Sequence, residues 1–380
     1  MTYRRDRTTW AAFGALFGFG FMNAVLGPAL PYIRATEHIS YVVGAFHQAA
    51  YAIGGGLAGL LAVRELRSIS RSAITRAGLT GAALAALVVG YGATPAITIA
   101  AAFAMSLLGT SALIRLWAVL ADIHGSRRAV AMSEGEVSVS LAGIVTPLLI
   151  DALAATTLSW RFAFVLGAGT TGLAALWVWR VQMPSTGSGD SHARVRTARS
   201  ARRWLQPTLV VVIAIVALEF TLSFWLASYL NLDVGLSRDA AVAAVAGLYA
   251  SNLAGRQLAS RLARHSTAER VLAAALGTTL IGLPFLLSAT DAPAAAVGIV
   301  VTGIGIGALF PLTSALHVKA SPRSADGALG QVLGVASLGQ LAGPLTAAAI
   351  AQAAGLRAGL LILPLLALAA AAGLLRHRSH

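Results

Sequence analysis

The stretch TLVVVIAIVALEFTLSFWLASYL, residues 208–230, contains a single charged side chain, Glu219, in an otherwise uncharged run. A helix needs about 20 predominantly apolar residues to cross the hydrocarbon core of a bilayer. Comparable blocks occupy residues 10–33 and 360–375, and others repeat along the chain. Because these blocks are continuous and show no period-two alternation, they predict membrane-spanning helices rather than a transmembrane barrel.

The composition agrees with a chain that has the lipid bilayer as its solvent. Of the 380 residues, 57% are hydrophobic and 11% are charged, whereas a soluble domain carries about 25% charged residues. The formal charge of +14 does not indicate nucleic-acid binding, because the basic residues lie in short loops and form no continuous surface. The chain has no cysteine, so disulfides and thiolate metal sites are excluded. We expect no metal and no cofactor.

The apolar blocks predict twelve spans, and the basic residues orient them. The spans are placed at 10–33, 41–63, 73–92, 96–121, 131–151, 162–181, 206–230, 240–262, 270–288, 293–317, 327–352 and 357–375. With the N-terminus inside, 23 of the 28 basic residues lie on the inner side. Four lie outside, and Arg115 lies within a span. This positive-inside asymmetry predicts a multi-pass protein of the plasma (inner) membrane with both termini in the cytoplasm.

The chain has a two-part organisation with an internal repeat. The polar, basic residues 183–205 predict a cytoplasmic linker between six-helix bundles at 1–182 and 206–380. A shift of 197 residues superposes four landmarks, which are Ala62 on Ala259, Arg64 on Arg261, Arg67 on Arg264, and Pro147 on Pro344. The shift indicates a duplication. Two parallel six-helix halves are the arrangement of alternating-access carriers, which hold substrate near the midplane.

Several motifs resemble the major facilitator superfamily, and together they cover essentially the whole chain. SWRFAF at 159–164 is similar to the opening of the family's helix 6. Span 11 matches the family's Gly-x-x-x-Gly-Pro motif with Gly339, Gly343 and Pro344, whereas span 5 has Ala142 and Thr146 in the glycine positions before Pro147. The segment 218–230 resembles helix 7 of the sugar-permease-like branch. The resemblance implies an all-α membrane fold of twelve helices in two pseudo-symmetric bundles.

The loops after spans 2 and 8 resemble the family's Gly-x-x-x-Asp-Arg motif. They read GLLAVRELR at 59–67, with Gly59 and Arg64, and GRQLASRLAR at 255–264, with Gly255 and Arg261. The acidic position holds Val63 and Ser260 instead. The resemblance therefore does not carry over the usual latch between an acid and an arginine.

The ionisable residues inside the spans are the first candidates for a transport site, because a charge in hydrocarbon is costly. Glu219 lies past the middle of span 7, where desolvation favours the protonated carboxyl. We hypothesise that it carries a coupling proton; the alternative is a structural carboxyl bonded to a neighbouring helix. Arg115 could pair with Glu134 or Glu136 of span 5 as an inner gate or proton relay. The alternative is a fixed ion pair or a glutamate in the loop.

Polar residues near mid-span are candidate substrate contacts. Tyr249, Asn252 and Arg256 share one helical face, and Trp225 could stack on a sugar or ring. The outer aromatic belt is the favoured reading for Tyr229. Each candidate has the alternative of an interhelical contact. The substrate candidates are Asn23, His47, Gln48, Tyr51, Trp225, Tyr249, Asn252 and Gln331.

These features predict a secondary active transporter of a small organic solute, working by alternating access. Proton symport of a sugar-like or other polar solute is the first expectation, with a single chain enclosing one pathway. Alternatives are a proton-antiport exporter of drugs or hydrophobic metabolites, and the membrane subunit of an ATP-driven importer. A membrane-embedded enzyme or sensor is a further alternative, but no catalytic arrangement is expected. The only lysine, Lys319, precedes alanine, so the chain lacks a Gly-Lys-Ser/Thr phosphate loop.

Overall fold

The computed structural model describes residues 4–63, 70–125, 128–181, 183, 207–320 and 325–378. In these ranges the chain forms thirteen α-helices. They are α1 Arg7–Glu37, α2 Tyr41–Val63, α3 Arg71–Tyr91, α4 Pro95–His124, α5 Arg128–Ala154, α6 Phe162–Arg180, α7 Pro207–Leu232, α8 Arg238–Leu262, α9 Ala268–Leu287, α10 Ala292–Ala320, α11 Ala325–Ala354, α12 Leu356–Leu360 and α13 Ile362–Arg378.

The twelve spans predicted from the sequence correspond to these helices. Their ends agree to within about four residues. The last span is broken at Leu361 into α12 and α13. Among the described residues, ten candidate spans meet a length and hydropathy criterion for crossing a membrane. The helices α2 and α8 are not among these ten, and both carry polar side chains, His47 and Gln48 on α2 and Arg256 and Arg261 on α8.

Polar side chains fix where several helices begin. Asp6 precedes α1, and its Oδ1 accepts the backbone N–H of Thr9 at 2.7 Å. Ser237 and Thr267 make the same type of N-terminal cap on α8 and α9. Such caps satisfy backbone donors that have no partner inside the helix.

The chain folds into two compact units. Unit 1 comprises Met1–Ile39 with Phe46–Asp190, and unit 2 comprises Ser40–Ala45 with Ser191–His380. In unit 1 a buried apolar cluster joins α1, α3, α4, α5 and α6. In unit 2 a buried apolar cluster joins α7 and α11, and Phe310 of α10 packs against it. The segment predicted as a linker, 183–205, lies outside the described residues except for Met183.

Glycines bring α11 against α7 in unit 2. A Cβ on Gly339 would overlap the carbonyl oxygen of Ile213, and a Cβ on Gly343 would lie 2.6 Å from the carbonyl oxygen of Ala217. Neither position can accept a side chain unless the helices separate. The two glycines of the motif therefore set the α7–α11 distance, and Pro344 follows them inside α11.

Unit 1 reaches a similar close contact with the glycine on the other helix. A Cβ on Gly20 of α1 would lie 2.7 Å from the carbonyl oxygen of Val139 and 3.0 Å from the Cβ of Ala142 on α5. Under the shift of 197 residues, Gly20 corresponds to Ala217 and Ala142 to Gly339. Each unit thus packs one glycine against one alanine. In unit 1 the glycine is on α1 and the alanine on α5, whereas in unit 2 the alanine is on α7 and the glycine on α11. This exchange explains how span 5 keeps the close approach without its motif glycine.

The same shift relates an aromatic contact in the two units. In unit 1 the rings of Tyr32 and Trp160 stack with centroids 5.6 Å apart. In unit 2 the guanidinium of Arg357 lies 5.7 Å from the ring centroid of Tyr229. Tyr32 and Trp160 fall on Tyr229 and Arg357 when shifted by 197. The repeat in the sequence is therefore also a repeat of side-chain contacts.

Candidate transport site

Glu219 of α7 faces Arg256 of α8. Nη2 of Arg256 lies 4.0 Å from Oε1 of Glu219, and the two side chains are 33% and 19% exposed, respectively. The Nε–H of Arg256 also donates to the carbonyl of Gly307 on α10 at 3.2 Å. The arginine is thereby held between a carboxylate and a backbone oxygen, and the carboxylate is half-buried in the most apolar candidate span.

Tyr249 and Ser223 extend this pair along the two helices. The side chain of Tyr249 lies near the hydroxyl of Ser223 and near Glu219. Ser223 is one turn beyond Glu219 on α7, and Tyr249 is two turns before Arg256 on α8, so each pair shares a helical face. We call Glu219, Ser223, Tyr249 and Arg256 the α7–α8 polar cluster. It presents a carboxylate, a guanidinium and two hydroxyls within one unit.

Asn252 lies on the same helix but is bonded to the backbone. The side-chain amide of Asn252 is oriented so that its nitrogen faces hydrogen-bond acceptors. In this orientation Nδ2 donates to the carbonyls of Gly303 at 2.9 Å and Leu248 at 3.2 Å. Its side chain is buried, and a Cβ on Gly307 would overlap the backbone of Asn252. Asn252 therefore joins α8 to α10, which is the interhelical alternative for this residue.

Gly255 of the second loop motif serves the same α8–α10 packing, because a Cβ there would overlap the carbonyl oxygen of Ile304. Arg261, further along α8, is exposed. Gly59, in the first loop motif, has open space around it within 4 Å. Arg64 of that motif lies outside the described residues. At the same end of unit 1, Arg71 forms an ion pair with Asp122 at 2.6 Å, which ties α3 to α4.

The two aromatic residues of α7 are bonded within unit 2. Trp225 is fully buried, and its Nε1–H donates to the carbonyl of Pro344 at 3.1 Å. Tyr229 is also fully buried, and its hydroxyl donates to the carbonyl of Leu286 at 2.9 Å. The assignment of Tyr229 to an outer aromatic belt is therefore wrong, because belt residues face lipid and water.

In unit 1 the carboxylate of Glu134 forms a bidentate ion pair with Arg5. Nε of Arg5 donates to Oε2 at 2.8 Å, and Nη2 donates to Oε1 at 2.7 Å. Glu136 is exposed, whereas Glu134 is half-buried, as expected for positions on different faces of α5. Arg115 is half-buried on α4. The structure thus gives Glu134 a partner from the start of the chain, which the sequence did not suggest.

The remaining predicted contacts are distributed over α1, α2 and α11. Asn23 is half-buried on α1. His47, Gln48 and Tyr51 are buried on α2, and Nε2 of His47 lies 2.9 Å from Oγ1 of Thr98. Gln331 is buried on α11, and its Oε1 has no hydrogen bond within the described residues.

Two members of the site were not singled out from the sequence in their present roles. Ser223 stands four residues after Glu219, and that spacing was a usable signal for a shared face. Arg256 was noticed only as a neighbour of Tyr249 and Asn252 along α8. Its pairing with Glu219 depends on how α7 and α8 pack, which spacing within one helix does not give.

One protein family matches the sequence of this chain. A family model described as "Major Facilitator Superfamily" matches residues 12–267, which is more than half of the chain. A search of curated proteins gives no match.

Solved structures share the fold over nearly the full chain. A bacterial homologue of the human lysosomal transporter Spinster is 17% identical with a TM-score of 0.76, covering 98% of this chain and 97% of that one. The nucleoside transporter NupG is 11% identical with a TM-score of 0.76, covering 98% of each chain. A D-xylose-proton symporter is 14% identical with a TM-score of 0.74, covering 97% and 95%. At these identities the likeness concerns the fold alone.

Proposed function

The chain belongs to the major facilitator superfamily, and we propose that it is a proton-coupled secondary transporter of a small polar solute, working by alternating access. The α7–α8 polar cluster supports this proposal. A carboxylate and a guanidinium 4.0 Å apart on two neighbouring helices are costly to keep in a membrane unless they serve transport.

The separation of Glu219 and Arg256 suits a reversible interaction. Two unit charges 4 Å apart attract by about 4 kcal/mol at an effective dielectric of 20 and by about 1 kcal/mol in water. Both side chains are partly exposed, so the attraction falls between these limits. Protonation of Glu219 removes it, while Arg256 keeps its hydrogen bond to Gly307. A proton on Glu219 thereby frees the guanidinium to bind solute.

The donors and acceptors of the cluster favour a solute with several hydroxyl groups. Arg256 donates, Glu219 accepts when ionised, and the hydroxyls of Tyr249 and Ser223 do both. A sugar-like molecule presents donors and acceptors of the matching kinds. The D-xylose-proton symporter among the similar structures fits this reading, although it is distant in sequence.

The test is transport in proteoliposomes with an imposed pH gradient, over a panel of sugars, nucleosides and apolar drugs. The solute is first identified by thermal stabilisation of the purified protein, since binding raises stability by mass action. Glu219→Gln is expected to abolish accumulation driven by the gradient while keeping exchange of labelled for unlabelled solute. Glu269→Gln, in the first turn of α9, is the control and is expected to transport normally.

If Glu219→Gln accumulates solute under a pH gradient as well as the wild type, the proposed role of Glu219 is wrong. The direction of the gradient that drives accumulation separates symport from antiport. Antiport of an apolar drug, driven by protons moving the opposite way, would replace sugar-like symport as the function.

A further inference from the structure

A second group of ionisable side chains lies in unit 1, where α1 ends and α4 begins. Nε2 of His47 on α2 lies 2.9 Å from Oγ1 of Thr98 on α4. The same hydroxyl lies 3.2 Å from Oε1 of Glu37 at the end of α1. An imidazole and a carboxylate from two helices are thus joined through one threonine of a third. The group shares no residue with the α7–α8 polar cluster.

His47 and Thr98 are shielded from solvent, whereas Glu37 is partly exposed. His47 is 1% exposed and Thr98 is 0% exposed. Oε2 of Glu37 is buried and has no hydrogen-bond partner within the described residues. An ionised carboxylate oxygen without a donor is costly when buried, whereas a protonated carboxyl needs one fewer donor. The surroundings of Glu37 therefore suit a carboxyl that gains and loses a proton.

Few charged groups surround these three side chains. Arg161, in the segment before α6, is the cation that acts on Glu37. The helix α4 has no charged residue from Pro95 to Ile114. The other titratable or charged groups near this end of the helices are Tyr32, Arg34 and His38 on α1, Tyr41 and Tyr51 on α2, Tyr91 on α3, and Asp151 on α5.

Two complete hydrogen-bond arrangements are available to the three side chains. In one, His47 is an imidazolium whose Nε2–H donates to Thr98, and the threonine hydroxyl donates to an ionised Glu37. In the other, a protonated Glu37 donates to Thr98, and the hydroxyl donates to the unprotonated Nε2 of a neutral His47 that keeps its proton on Nδ1. The arrangements differ by the transfer of one proton through the threonine oxygen, and in each the hydroxyl both accepts and donates one hydrogen bond. No other reactant is needed, because the proton leaving one end arrives at the other.

We propose that Glu37, Thr98 and His47 form a second proton-binding site, in which one exchangeable proton is shared between the carboxylate and the imidazole through the threonine hydroxyl. The fold does not require these hydrogen bonds, because the shift of 197 residues places Ala244 and Ala295 at the positions of His47 and Thr98 in unit 2. The site responds to pH independently of Glu219.

Unit 1 contains a similar set of hydrogen bonds at the other end of the α1–α4 pair, and it provides an internal comparison. The Thr9 hydroxyl lies 2.6 Å from Oδ1 of Asp6 and 2.8 Å from Nε2 of His124. Asp6 is exposed, so solvent can stabilise its charge. His124 therefore reports general effects of a variant on unit 1 that do not arise from the Glu37–Thr98–His47 site.

The test is NMR titration of the full-length protein with labelled histidine in detergent micelles. The chain has eight histidines, and the His47 signal is identified by its loss in His47→Gln. Thr98→Val keeps the shape of the side chain but removes the hydroxyl, whereas Thr98→Ser keeps the hydroxyl and is the matched control. We expect Thr98→Val and Glu37→Gln each to move the His47 titration midpoint by about one pH unit. Thr98→Ser and the His124 midpoint should change little.

An unchanged His47 midpoint in Thr98→Val and Glu37→Gln would overturn the proposal. So would an equal shift in Thr98→Ser and Thr98→Val, because packing and not the hydroxyl would then be responsible. If Thr98→Val fails to fold, judged by a changed His124 signal, Glu37→Gln decides alone. These readouts do not involve transport, so they stand or fall separately from the role of Glu219.

Discussion

The exchange of glycine and alanine between the two units predicts the behaviour of a pair of substitutions in unit 2. Gly339 packs on α7 at the level of Ala217, whereas unit 1 has Ala142 and Gly20 at the corresponding positions. Gly339→Ala should therefore disturb the α7–α11 packing. Adding Ala217→Gly recreates the order found in unit 1 and should restore part of the loss.

The size of the effect follows from the space around each glycine. A Cβ on Gly339 would overlap the Ile213 carbonyl oxygen and lie 2.9 Å from the Ala217 nitrogen, and both neighbours are backbone atoms that cannot rotate away. Overpacking of this kind costs about 1–3 kcal/mol. Alanine also favours the helix over glycine by about 1 kcal/mol. Gly334→Ala on the same helix is the control, because nothing lies within 4 Å of its Cβ position.

The helix preference is common to both alanine variants and cancels in their difference. We therefore expect Gly339→Ala to be less stable than Gly334→Ala by about 1–3 kcal/mol. The double variant should be more stable than the sum of the single effects predicts, by about 0.5–3 kcal/mol. The measurement is reversible unfolding by sodium dodecyl sulfate in mixed micelles, followed by tryptophan fluorescence.

Equal stability of Gly339→Ala and Gly334→Ala would refute the claim that the glycine sets the helix distance. Strict additivity in the double variant would refute the exchange between the units, even if the glycine proved essential. The two outcomes test different steps of the reasoning, since the first concerns one close approach of two helices and the second concerns the repeat.

Two further predictions concern the α7–α11 bond and the topology. Trp225→Phe keeps most of the buried ring but removes the indole N–H that donates to the Pro344 carbonyl, and it should lower the unfolding free energy by about 0.5–1.5 kcal/mol; an unchanged value would mean that this hydrogen bond does not stabilise the α7–α11 packing. Because both termini and the 183–205 segment are expected in the cytoplasm, reporter tags at residues 190 and 380 should appear on the same side of the membrane. Tags on opposite sides would contradict the twelve-span topology.

The spans were predictable because the hydrophobic effect acts on each segment separately. A block such as 208–230 has to be covered by lipid or protein wherever it lies, so its length alone indicates a crossing. The side chains that face inward were harder to predict. Tyr229 was assigned to the lipid-water interface, yet it bonds the end of α9. Hydropathy does not distinguish an aromatic ring that faces lipid from one that faces a neighbouring helix.

Partners across helices were the least predictable part of the candidate site. Glu219 stood out because it is a single charge in a long apolar run, but its pairing with Arg256 depends on the packing of α7 on α8. Glu134 is another example, because the structure places Arg5 from the start of the chain against it, and nothing in the sequence suggested that pair. Pairing is a property of two helices, and spacing along one helix informs on one face only.

Comparison of the two units separates what the fold needs from what it does not. Shifted back by 197 residues, Glu219 and Arg256 fall on Met22 and Gly59, and the Cβ position of Gly59 faces open space. Both units keep the close apolar packing of their helices, although the glycine and the alanine have changed places between them. The Glu219–Arg256 pair has no counterpart at the corresponding positions of unit 1.

The Glu37–Thr98–His47 site shows the opposite asymmetry, since unit 2 has Ala244 and Ala295 at the positions of His47 and Thr98. A six-helix bundle of this type therefore forms without either polar group. Buried charges generally cost stability, so groups that the repeat does not require are retained for another reason. On this argument each unit contributes its own ionisable site to a shared scaffold, and loss of either site should alter transport or its pH response while leaving the bundle folded.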